Sequence, residues 1–138
     1  MSVEDELRRW LQTVRGVTCY RDKLKIYAPT CYGRCLREVE ELIAEVNKIV
    51  GGSTVYDAEG SWVTPEGRVE TEPVKVIEAA HHCLSRDEAV KLARAITEYA
   101  RKANQSAIAV EAGSFYIAET PRLLEAYRRI SERLPTDL

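Results

Sequence analysis

The sequence is poor in several things, and each shortage excludes something. No apolar run approaches the roughly 20 residues that a membrane helix needs. The first nine residues, Met1 to Arg9, are charged and hold no apolar signal core. The reading therefore places the protein in the cytoplasm with no membrane partner. The formal net charge is only -2, so the strong basic excess of a general phosphate binder is missing. The chain has no phosphate loop, no G-x-G-x-x-G, no G-x-S-x-G and no H-E-x-x-H. It has one Phe, one Met and two His, and its Asn and Gln are confined to Asn47, Asn104, Gln12 and Gln105. Few thermolabile side chains beside many charges, with Arg far ahead of Lys, is a thermophile pattern.

What is present fits one soluble globular domain over residues 1–138. Hydrophobic residues make up 45% and charged residues 30%, enough for a real core without metal or disulfide support. Ser2 caps a first helix with Asp5 three positions on, and Gly16 stops it. This helix, residues 1–16, is an added element. Lys23 to Ala28 alternates as a half-buried strand, ended by Pro29. Thr30 then caps a helix to about Val50, striped by Leu36, Val39, Leu42, Ile43, Val46 and Ile49. Ser53 to Val63 and Arg68 to Ala80 form a hairpin about the turn Thr64-Pro65-Glu66-Gly67. Pro73 cannot donate to a ladder, so the arm before it should project past the sheet. Ser85-Arg86-Asp87-Glu88 is a capping box, Ala107 to Val110 a fourth strand, and Phe115 to Ala118 a small hairpin segment. Thr120 and Pro121 open a last helix over 120–134.

The order strand, helix, strand, strand, helix, strand over 23–118 predicts an α+β fold. It is a ferredoxin-like βαββαβ sandwich, with a four-stranded sheet, two packed helices and an extra helix at each terminus. The central first and third strands are expected to run parallel, which would put both following helix starts at one end of the sheet. Cys31 and Cys35, sharing a helix face, would then meet His81, His82 and Cys83. Three thiols and two imidazoles supply enough ligands for zinc, although the spacing matches no zinc motif. The same cluster also reads as inert apolar thiols, or as a disulfide from Cys83 to Cys31 or Cys35. No cofactor is expected otherwise.

A second candidate is the acidic and aromatic surface of the hairpin: Asp57, Glu59, Trp62, Glu70 and Glu78. Paired carboxylates beside an aromatic can do acid–base work or hold a divalent cation. Alternating charges on a hairpin more often make a solvated face that guards an edge strand. Glu78 stands out because it falls on a central strand, where a buried carboxylate needs a partner. Tyr27, Tyr56 and Trp62 could stack single-stranded bases on an open sheet face, but the third strand lacks the RNA-recognition signature.

Three stretches carry a resemblance: Gly51 to Trp62, then Pro65 to Arg68 with Glu72 to Glu78, then Gln105 to Val110. Over about residues 49–111 the chain resembles small uncharacterised ferredoxin-like proteins of hyperthermophilic archaea or their viruses. The resemblance implies the fold and no catalytic residue. The leading expectation is a small non-enzymatic interaction or accessory protein, a homodimer joined through sheet edges or faces. The alternative is a metal-binding or thiol-dependent enzyme using the Cys31/Cys35 and His81-His82-Cys83 cluster. The second alternative is a single-stranded nucleic-acid binder, which the charge argues against.

Overall fold

The computed structural model describes residues 2–81 and 84–133. Its elements, in chain order, are α1 (Val3–Thr13), β1 (Asp22–Pro29), a 3-10 turn (Cys31–Gly33), α2 (Leu36–Val50), β2 (Thr54–Val63), β3 (Val69–His81), α3 (Arg86–Lys102), β4 (Ala107–Ala112), β5 (Ser114–Glu119) and α4 (Thr120–Arg133).

The four-stranded ferredoxin-like sheet is corrected. Among the described residues the sheet has five strands in the order β2-β3-β1-β4-β5, every neighbouring pair antiparallel, and four helices accompany it. The additional strand is β5. Gly113 (φ 77) turns the chain so tightly that Ala112 pairs with Ser114, and the ladder runs on to Ala107 opposite Glu119. The short segment at Phe115 to Ala118 is thus a full member of the sheet.

The expected parallel pairing of β1 with β3 is also corrected. The hairpin reverses the chain between β2 and β3, so β3 runs against β1, with Asp22 opposite His81 and Pro29 opposite Val74. Residues 69–73 of β3 pair with β2 alone, so the hairpin arm extends past β1.

Strand alternation separates two faces. Leu24, Ile26 and Ala28 of β1, Ile77 and Ala79 of β3, and Ile108 of β4 point to the helices. There they pack with Val39, Leu42 and Val46 of α2 and with Leu92, Ile96 and Tyr99 of α3. Burial of these side chains, each contributing about 1.5–3 kcal/mol, is what holds the domain together. α4 joins the same layer through Leu123.

Helix ends follow the local chemistry. Ser85 and Glu88 cap α3 reciprocally, and Gly51 closes α2 in the left-handed conformation at φ 93. α2 begins later than Thr30 suggested. Thr30 makes no side-chain cap; Cys31 and Tyr32 adopt positive φ, and the helix starts only after Cys35. α1 carries a Ser2–Asp5 capping box, yet none of its side chains is buried.

Candidate functional site

The opposite face of the sheet carries none of the core cluster, and its side chains line up in rows across the strands. One row reads Phe115, Glu111, Lys25, Glu78 and Thr54, from β5 across to β2. The next reads Ile117, Ala109, Tyr27, Val76 and Tyr56. The first row is charged in its centre and the second is aromatic and apolar. Val76 and Val74 are buried on this face, in the rows beside the polar one.

The polar groups are tied together. Tyr27 donates from its hydroxyl to a carboxylate oxygen of Glu111 at 3.2 Å, and Tyr56 donates to Glu78 at 3.3 Å. Lys25 lies 3.9 Å from Glu111, and Lys23 lies 3.5 Å from Glu78. Phe115 meets Tyr27 edge-on, with ring centroids 5.7 Å apart. The phenol of Tyr56 and the carboxylates of Glu111 and Glu78 raise the affinity of Lys25 for its proton above the ordinary lysine range. Burial, reinforced by the hydrogen bond to Glu111, raises the Tyr27 phenol above its usual value. At neutral pH Lys25 is therefore held as the ammonium and Tyr27 as the neutral phenol.

Alternation divides the acidic candidates. Glu78 is at the centre of this face, and Trp62 and Glu70 stand opposite each other further along the hairpin arm on the same side. Asp57 and Glu59 fall on the other side. Asp57 is paired with Lys75 at 2.6 Å, and Glu59 lines a depression of about 510 Å³ with Tyr32, Thr71, Glu72 and Pro73. Burial raises the carboxyl of Glu72 above the usual range. A larger groove of about 900 Å³ runs between α2 and α3 on the outer layer and is lined by mixed charges such as Glu38, Glu45, Lys91 and Arg94.

Among the described residues of the cysteine–histidine cluster, His81 and Cys31 are not brought together. His81 pairs with Asp22 at the start of β1, whereas Cys31 follows its end, roughly 24 Å along the strand. His82 and Cys83 lie outside the described residues. Cys31 and Cys35 are disulfide-bonded to each other, with Cα atoms 5.3 Å apart. Cys19 is exposed and free. Among the described residues no group of three or more His, Cys, Asp or Glu could hold a metal ion.

Lys25, Glu111 and Phe115 were missed in the sequence. The first had a signal, since Lys25 alternates with Leu24 and Ile26 and so belongs to the non-core face. Glu111 and Phe115 needed the β4–β5 ladder, which sets them opposite each other.

No protein-family model matches the chain, and no curated protein gives a significant match. Two solved structures share its architecture. One is a phage SAM lyase in complex with S-methyl-5'-thioadenosine, 16% identical, with a TM-score of 0.56 over 78% of this chain and 96% of that one. The other is a phage SAM lyase in the apo state, also 16% identical, with a TM-score of 0.57 over 77% and 94%. The fold resembles that of the phage SAM lyase. The expectation of a non-enzymatic accessory protein is corrected to this extent: both solved structures that the chain resembles are those of an enzyme, a phage SAM lyase. No helix among the described residues is long and apolar enough to cross a membrane.

Proposed function

We propose that the chain is a lyase acting on S-adenosylmethionine or a closely related sulfonium nucleoside, at the helix-free face of the sheet. The observation that carries this reading is the cross-strand row Glu111, Lys25 and Glu78 flanked by Tyr27, Tyr56 and Phe115. Such a substrate has four recognisable parts: a carboxylate, an ammonium, a sulfonium and an adenine. Lys25 and Lys23 suit the carboxylate. Glu78 and Glu111 suit the two cationic centres. The aromatic rings offer faces to the adenine and to the sulfonium, as cation–π contacts do. Fold likeness alone does not carry a function. Here it supports the substrate class that the side chains suit independently.

Release of methylthioadenosine from such a substrate leaves the methyl and adenosyl groups on sulfur. The bond that breaks is then the one from sulfur to the amino-acid chain; sulfur keeps that electron pair and departs as a neutral thioether, while the substrate's own carboxylate oxygen bonds to the carbon that sulfur leaves and closes a five-membered lactone, so that no other reactant is needed. Positive charge on sulfur disappears as the bond stretches.

The test is incubation of the purified chain with S-adenosylmethionine, with chromatography and mass detection of methylthioadenosine, beside calorimetric binding of both compounds. Methylthioadenosine formed without an added oxidant, reductant or metal is the expected result. Absence of product together with absence of binding would sink the reading.

A further inference from the structure

The Cys31–Cys35 disulfide has no part in the site above, yet its surroundings accommodate it in both oxidation states. Cys31 and Tyr32 both sit at positive φ, 54 and 55, and Gly33 follows at 93. Two successive side-chain-bearing residues in the left-handed region are costly and persist only when something over-determines them. The covalent link across this turn is the strongest such constraint, aided by Gly33 N–H and Cys35 N–H donating to the Thr30 carbonyl.

The turn carries Tyr32. Its side chain is exposed, and its hydroxyl donates to the Thr71 carbonyl at 2.5 Å. Thr71 lies in the part of β3 that β1 does not reach. Thr30 N–H donates to the Pro73 carbonyl at 3.1 Å at the base of the arm, and Tyr32 fastens the arm to the body further out, from outside the sheet. The fastening depends on the turn keeping its unusual shape.

Around the sulfurs the structure provides for the reduced state. The Ala103 carbonyl oxygen lies 3.8 Å from Sγ of Cys31 and 3.9 Å from Sγ of Cys35, an acceptor that a disulfide cannot use and a thiol can. The Gln105 side-chain amide stands 3.5 Å from Cys31 Sγ, a donor suited to a thiolate. Cys35 occupies the N-cap position of α2, where the helix favours a departing thiolate. Cys31 is the less buried of the two and the one a nucleophile meets first.

We propose that Cys31–Cys35 is a reducible clasp: a dithiol reductant opens it, the turn relaxes, and Tyr32 releases the hairpin arm. A thiolate of the reductant attacks Cys31 Sγ, the Sγ–Sγ bond breaks, and Cys35 leaves as thiolate and takes up a proton. The second thiol of the reductant then displaces Cys31 and closes the reductant's own disulfide. Two electrons and two protons pass to the protein. The inference does not rest on the lyase reading.

Hydrogen exchange of the full chain, read by mass spectrometry, tests it before and after treatment with dithiothreitol under native conditions. Cys31 and Cys35 both become alkylatable, and the amides of residues 69–72 exchange about five- to tenfold faster, the loss of roughly one hydrogen bond. Tyr32→Phe, with the disulfide intact, shows the same faster exchange without reductant. The double variant Cys31→Ser with Cys35→Ser does so too and no longer responds to dithiothreitol. The proposal is overturned if both cysteines resist native reduction while exposed Cys19 is labelled freely. It is overturned equally if exchange over 69–72 is the same in the oxidised, reduced and Tyr32→Phe forms.

Discussion

Tyr56 on β2 donates its hydroxyl proton to Glu78 on β3 at 3.3 Å, although the residue directly opposite Tyr56 is Val76. The hydrogen bond runs diagonally from the aromatic row to the charged row and fixes the carboxylate beside Lys23. It orients the acid that the substrate's positive charge would meet.

Substituting that acid removes the charge and keeps the shape. Glu78→Gln is expected to lower kcat/KM for S-adenosylmethionine about 10- to 100-fold, the scale of a lost charge-assisted hydrogen bond. The fold should survive, as judged by circular dichroism. Activity within a factor of two of the parent would remove Glu78 from the site.

Tyr27→Phe separates hydrogen bonding from packing. The ring keeps its edge contact with Phe115 and loses its donor to Glu111. A cost of about 0.5–1.5 kcal/mol in urea unfolding is expected. A larger loss would mean that the Glu111 row depends on this phenol for its geometry.

The core sets the scale of stability. Ile26 is fully buried at the centre of β1, between the ladders to β3 and β4. Ile26→Ala should cost about 2–5 kcal/mol, because a cavity under α2 and α3 cannot close freely. Chemical denaturation of the two proteins under one set of conditions reads the difference.

Glu72 makes the pH dependence specific. Its carboxyl is held above the ordinary range by burial. A group whose folded pKa is raised favours the folded state while protonated, and that favour is lost as pH rises through the folded pKa. Ionised Glu72 is therefore a net liability at neutral pH. Glu72→Gln should melt higher than the parent at pH 7, and the gap should close on acidification below the usual carboxylate range. A variant that melts lower at both pH values would show that Glu72 is held by attraction.

Glu88 has the opposite sign. Its capping hydrogen bonds with Ser85 hold its carboxyl below the ordinary range. Its contribution is complete above the unfolded carboxylate pKa and is lost as pH falls through the folded one. Glu88→Gln should flatten the acid limb of the stability curve, whereas Ser85→Ala, which keeps the backbone N–H that holds the carboxylate, should mainly lower the plateau, by about 1 kcal/mol.

Local chemistry was legible where a side chain announces itself within four residues. Ser2 with Asp5, Ser85 with Glu88, Gly51 after α2 and the Thr64–Gly67 turn all act as their residue types require. Relations across strands were less legible. The direction of β3 against β1 follows from the hairpin reversal, and an argument from the helices that follow each strand overlooks it. That single inversion moved His81 to the far end from Cys31. Glu78 was visible as a carboxylate on a central strand, but its partners were not. Lys23 and Tyr56 reach it by register and diagonal reach, which no local pattern encodes. The start of α2 was hidden for a different reason: a covalent bond between Cys31 and Cys35 overrides the capping preference of Thr30.

The eleven residues of α1 bury no side chain, and a helix of that length is marginal in water on its own. Its order and that of the sheet are thus two separate accounts. Heating should dissolve α1 early and gradually, while the body melts later and all at once. A chain lacking residues 1–16 should keep the later transition where it was. The apolar stripe of Leu7, Trp10 and Leu11 contributes nothing to the cooperativity of the domain that follows it.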